Sequence, residues 1–134
     1  MVFQRLLWSL VDRRIPPLAL AADVVAVVVF AGIGRADHAE AFDIAAVLTT
    51  AGPFLIGLVA AWITPYVRSD PASLGSGVAV LAGTALVGFA LRAILLGRLP
   101  ISFVIVATVS LAVLLVGWRG LSIVVARRAI DRVG

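Results

Sequence analysis

Four apolar runs, each close to the roughly 20 residues that a helix needs to cross a bilayer, constrain this chain more than any other feature. Only short polar joints separate them. Apolar residues make up 63% of the chain, above the roughly half found in soluble domains, and a water-soluble fold of this length could not cover them. Short connections oblige each helix to return beside its predecessor. The expected fold is therefore all-α: a polytopic membrane protein, an antiparallel four-transmembrane-helix bundle with N- and C-termini cytoplasmic.

The runs divide the chain into three parts. Residues 1–14 read as an interfacial amphipathic helix, because Phe3, Leu6, Leu7, Leu10 and Val11 repeat on one helical stripe while Arg5, Arg13 and Arg14 fall mostly off it. Pro16 and Pro17 are expected to end that helix and open the next one. Residues 15–118 form the transmembrane domain, with spans at about 16–34, 43–66, 74–96 and 100–118. Asp43 is placed to cap the second span, Pro53 to kink it, and Gly97 to terminate the third. Residues 119–134 read as a basic amphipathic C-terminal segment that bends away at Gly120 and carries Arg127, Arg128 and Arg132 on one side.

All 11 basic residues are arginine, and their distribution sets the orientation. Arg5, Arg13, Arg14, Arg68, Arg119, Arg127, Arg128 and Arg132 fall on one side, against Arg35 and Arg98 on the other. The positive-inside rule places the larger group in the cytoplasm, which makes the chain a multi-pass protein of the cell (cytoplasmic) membrane. Trp62 and Trp118 then lie at the inner interface. Arginines at the ends of apolar runs do not form a basic groove, so nucleic acid is not an expected partner. With no cysteine there is neither thiolate chemistry nor a Cys-based metal site. A signal peptide over 1–41, ending at Ala39-Glu40-Ala41, is a competing reading. Its apolar stretch is longer than a signal core of roughly 7 to 15 residues and contains an acid.

Asp23 is the most informative residue. It lies roughly 9 to 12 Å inside the cytoplasmic end of the first span, where an acid is unfavourable by about 2.5 to 3.5 kcal/mol unless it finds a partner, a proton or an aqueous path. Two readings stay open: a proton or substrate-cation site, or a structural acid that pairs with Arg119 or bonds Thr and Ser hydroxyls across helices. Arg92, about one turn inside the outer end of the third span, either snorkels toward water or meets the acidic outer loop of Asp37, Glu40 and Asp43. With Arg35 and Arg98 it could form an anion- or headgroup-binding mouth. Pairing of Arg92 with Asp23 is not expected, since their depths differ by on the order of 15 Å. His38, the single histidine, lies beside Asp37 and near Glu40 and Asp43, but a loop this short does not guarantee the three or four converging ligands that a metal requires. A solvated polar turn that helps hold the outer loop to Arg35 is the favoured reading, and no metal and no cofactor is expected.

No phosphate-binding glycine loop, nucleophile–base arrangement or paired catalytic carboxylates occur, and an enzyme is the least supported class. Gly75, Ala79 and Gly83 recur every fourth residue, a helix-packing face. Four short spans enclose little volume, so the expected partners are membrane lipids and either further copies of the chain or a larger membrane complex. The functional expectation is a small transporter or lipid-translocating protein using intramembrane charges, with a non-catalytic accessory or scaffolding subunit as the alternative. Phe30 and Phe89, Arg35 and Arg92, Thr50 and Thr108, and Trp62 and Trp118 recur at similar separations, as two like-inserted hairpins would produce.

Taken together, Asp23, the run from Phe30 through Ile33-Gly34-Arg35 to His38, Pro53-Phe54 with Gly57, Arg92, Phe103 to Thr108, and Gly117-Trp118-Arg119 resemble a family of small bacterial and archaeal membrane proteins known as DUF3054. The resemblance covers about residues 18–121. The family's Ile-Gly-Arg-x-x-His stretch matches Ile33, Gly34, Arg35 and His38, although the position of Ala36 is usually more polar. The resemblance implies that Asp23, Arg35, His38, Arg92 and Arg119 matter together, and it carries no activity.

Overall fold

The computed structural model describes the backbone of residues 2–37 and 43–133, and the side chains of residues 2, 16–34 and 43–133. Its helices are α1 (Val2–Asp37), α2 (Ile44–Ile63), the short α3 (Pro65–Ser69), α4 (Leu74–Leu96) and α5 (Ile101–Val133). Four of them contain a stretch long and apolar enough to cross a membrane: Pro16–Gly34 in α1, then α2, α4 and α5. The bundle closes as a ring in which α1 packs on α2, α2 on α4, α4 on α5, and α5 back on α1.

Local chemistry sets the ends of the inner elements. The Asp43 carboxylate accepts from the Ala45 N–H at 3.1 Å and so satisfies a donor that α2 leaves open. Thr64, forced out of helical geometry by the following Pro65, ends α2 with φ −67° and ψ 137°. The Ser73 hydroxyl accepts from Ser76 N–H at 3.1 Å and starts α4. Gly97, at φ 66°, closes α4 in the left-handed region where a side chain is disfavoured.

Both long helices differ from the expected segmentation. α1 runs as one helix of 36 residues through Pro16 and Pro17. The carbonyls those prolines leave unpaired belong to Asp12 and Arg13, one turn earlier, beyond the apolar stretch where water can serve them. α5 likewise continues for 33 residues through Gly120, because a lone glycine weakens a helix by only about 1 kcal/mol and no proline follows it. At 1.5 Å per residue α5 is roughly 50 Å long against a hydrocarbon core of about 30 Å. The start of α1 and the end of α5 therefore overhang the same end of the bundle, and the α5 overhang exposes Arg127, Arg128 and Arg132.

The closest helix contact is between α2 and α4. A Cβ at Gly57 would stand 2.7 Å from the Gly83 carbonyl oxygen, and one at Gly83 would stand 2.8 Å from Ala61 Cβ, so the two backbones touch. The expected packing face needs correction. Gly83 belongs to it and Ala79 is half-buried, but Gly75 is exposed at the first turn of α4, beside the Tyr66 hydroxyl. The buried stripe of α4 follows Gly77, Val80, Thr84 and Gly88, and Gly75 lies about 200° around the helix from Gly77. Outward-facing positions in the spans are mostly apolar, including Val25, Ile56, Leu86 and Val113. A bundle with that exterior belongs in lipid.

Candidate functional site

Two clusters of unusual side chains occupy the bundle axis, one toward each end. At the end carrying the overhangs, Asp23 of α1 and Arg119 of α5 are both fully buried, at 0% exposure. Their side chains meet two-pronged: Arg119 Nη1 donates to Asp23 Oδ1 and Nη2 to Oδ2, each at 2.8 Å. Two indoles complete the carboxylate. Trp62 Nε1 from α2 donates to Oδ2 at 2.9 Å, and Trp118 Nε1 from α5 donates to Oδ1 at 2.8 Å. Each oxygen thus accepts two bonds, which uses the capacity of an ionised carboxylate.

The guanidinium is held just as closely. Arg119 Nε donates to the Pro71 carbonyl and Nη1 to the Leu115 carbonyl, both at 2.8 Å, and the guanidinium carbon lies 4.4 Å from the centre of the Trp118 ring. Helix direction explains why Arg119 points inward. Side chains lean toward the N-terminus of their helix, which for α5 means back into the membrane, so Arg119 folds over its own preceding turn. Asp23, on a helix of opposite sense, leans toward the same level. Gly77 of α4 makes the room: a Cβ there would be 2.8 Å from Arg119 Cδ. Residues from α1, α2, α4 and α5, with the α3–α4 joint, therefore meet at one ion pair, the inner lock, where inner names the end of the bundle that carries the overhangs and outer the opposite end.

Toward the other end the axis is aromatic. Each spanning helix gives one phenylalanine: Phe30 from α1, Phe54 from α2, Phe89 from α4 and Phe103 from α5. Phe54 lies edge-on to Phe30 at 5.3 Å and to Phe89 at 5.6 Å between ring centres, and Phe89 meets Phe103 at 6.1 Å. Gly88 is small because the Phe54 ring occupies the space a side chain would need. Above this cluster the Arg92 guanidinium lies 4.2 Å from the centre of the Phe103 ring. Its Nε is buried and has no hydrogen-bond partner. Among the described residues Arg92 makes no ion pair either, and Asp43 serves as the cap of α2.

Of the residues singled out from the sequence, the structure joins Asp23 to Arg119 and leaves Arg92 far from both. Gly77, which abuts Arg119, precedes Arg92 by about 22 Å along α4. Arg35 lies in the last turn of α1 with its side chain outside the described residues, and His38 lies outside them altogether. No group of three or more potential metal ligands converges among the described residues. Sequence reasoning missed Trp62 and Trp118 as donors, taking them for interface anchors, and missed Gly77 and the four-ring cluster. The similar separations of Phe30 and Phe89 and of Trp62 and Trp118 held the usable signal, since each pair converges on one cluster.

No curated protein and no solved structure matches the chain. A family model described as "Protein of unknown function (DUF3054)" matches residues 20–122, a span that contains the inner lock, the aromatic cluster and Arg92. The chain is thus a member of the DUF3054 family.

Proposed function

We propose that this protein is a small transporter or lipid-translocating protein of the cell membrane, with both termini cytoplasmic, in which the Asp23–Arg119 pair is the inner gate. The observation that carries this reading is the complete burial of a charged pair at the point where the helices converge. Well-packed apolar residues could hold such a bundle equally well or better, so an ion pair at this position is favoured where contacts must break and re-form. The orientation is supported by the arginine count, which remains lopsided after Arg119 is assigned to the bundle interior. The reading involves no catalysis.

The test is headgroup-labelled lipid translocation in reconstituted vesicles. Replacing both charges with neutral polar residues, Asp23→Asn with Arg119→Gln, removes the ion pair while keeping a hydrogen-bonding group at each position. The expected result is faster translocation than with the unmodified protein, by about tenfold or more, as a gate weakened by about 1.4 kcal/mol requires. Unmodified protein that moves lipid no faster than protein-free vesicles, or a double variant with an unchanged rate, defeats the proposal.

The saturated carboxylate also favours a second reading. An acid whose acceptor positions are all taken is well suited to a fixed staple, as expected of an accessory or scaffolding subunit. That reading requires a larger protein to co-purify stoichiometrically in mild detergent, and the double variant to lose the partner rather than gain flux.

A further inference from the structure

Arg92 presents a cation with no protein anion among the described residues, and its surroundings define what could occupy it. We infer that Arg92, braced on Phe103, is a binding site for a phosphate oxyanion at the outer end of the bundle. This inference rests on a different observation from the inner lock and holds whether or not the protein moves lipid.

The geometry of the guanidinium carries the argument. Stacking on Phe103 at 4.2 Å covers one face of the group, so further partners must approach the N–H edges. One of those edges begins at Nε, which is buried without a partner. A buried donor of this kind is unfavourable until something accepts from it, and a charged side chain in the membrane zone ordinarily has a counter-charge. At this end of the bundle Asp43 is used as a helix cap, and Arg98, exposed in the α4–α5 joint, adds positive charge. Among the described residues the charge at this end is therefore net positive, which favours binding of an anion.

Depth and shape favour phosphate. Arg92 precedes the last residue of α4 by about 6 Å, which puts it at the boundary between hydrocarbon and headgroups. The guanidinium is a flat fork that donates to two oxygens of one phosphate side by side. Because the aromatic ring already holds the group, little side-chain freedom is lost on binding. Of the four phenylalanines beneath, Phe89 and Phe103 are partly exposed and form an apolar floor suited to the glycerol and acyl portion of a phospholipid. A soluble phosphate ester would use the same fork without the floor.

The experiment is native mass spectrometry of the full chain in mild detergent with phosphatidylglycerol, a glycolipid lacking phosphate, or inorganic phosphate added. Phosphatidylglycerol is expected to be retained about tenfold better by the unmodified protein than by Arg92→Gln, with Arg98→Gln behaving as unmodified and the glycolipid retained equally by all three. Displacement of the lipid by millimolar inorganic phosphate would assign the same site to soluble phosphate; retention despite it assigns the site to lipid. Should Arg92→Gln fail to assemble, Phe103→Leu, which removes the stacking face and leaves the charge, is expected to weaken retention several-fold. Equal retention of phosphatidylglycerol by the unmodified protein and an assembled Arg92→Gln or Phe103→Leu protein overturns the inference.

Discussion

The two ends of the bundle treat a buried arginine in opposite ways. Arg119 is fully enclosed, matched by a carboxylate on its fork and by two backbone carbonyls. Arg92 is half-buried, rests on a phenyl ring and donates to nothing among the described residues. Hydropathy places Arg92 inside the third span and Arg119 just past the fourth, so it does not foretell that Arg119 is the more deeply buried of the two. The difference lies in what the opposing helices present: α1 and α2 bring Asp23 and Trp62 to Arg119, whereas they bring Phe30 and Phe54 to the level below Arg92. An arginine whose bonds are all made within the chain has its partners supplied by the neighbouring helices and needs none from outside. An arginine left with free donors is a place where something else binds.

The sharpest way to break this comparison is to remove one half of the inner pair. Asp23→Ala leaves Arg119 as an uncompensated buried cation, and Arg119→Ala strands the carboxylate. Either change is expected to destabilise the bundle by about 3 to 5 kcal/mol, read as the shift of an unfolding transition in mixed micelles. Replacing both with apolar residues, Asp23→Leu and Arg119→Met, should recover much of that loss, because no unpaired charge then remains. A double variant as unstable as the sum of the singles would mean that the two residues act independently, and the inner end would lose its distinction from the outer one.

A smaller effect sharpens the same contrast. Trp62→Phe and Trp118→Phe each remove one donor to a charged acceptor while keeping an aromatic ring. Each should lower stability by about 1.5 to 3 kcal/mol, with Trp118→Phe the larger because Arg119 also stacks on that indole. Equal and negligible losses in the same unfolding measurement would show that the indoles are merely interface anchors, as their place near the span ends first indicates.

How far the sequence exposes this arrangement differs between its parts. The four spans are plain in the hydropathy, since no water-soluble fold can hide such runs, and Asp43 and Gly97 mark the start of α2 and the end of α4. Asp23 stands out because an acid at depth demands a partner, and Arg119 is one of the two partners that its position allows. Which partner is taken depends on lateral packing: Gly77 admits the arginine side chain, and Trp62 arrives from a helix whose rotation the sequence does not encode by itself. The same limit applies to Gly75, Ala79 and Gly83. Four-residue spacing marks a face but does not say which neighbour it meets, and the contact with α2 instead uses Gly57, Ala61 and Gly83, with Gly88 against Phe54. The prolines of α1 show a different limit, because a break expected in water is not enforced where the unpaired carbonyls reach the interface.

The smallest expected effect tests the outer end. Arg92→Gln removes a charge that hydropathy places inside a span, yet it breaks no ion pair and no hydrogen bond among the described residues. What it forfeits within the chain is the contact with Phe103, worth about 0.5 to 1 kcal/mol at a partly exposed site. That loss is partly offset by relief of the unsatisfied Nε. In lipid-free detergent the unfolding transition should therefore move by less than about 1 kcal/mol, several-fold less than for Arg119→Ala. Adding phosphatidylglycerol should then separate the two proteins, because only the unmodified chain gains stability from a ligand that binds its folded state. A large loss already present without lipid would make Arg92 a structural residue like Arg119, and the two ends would be alike after all.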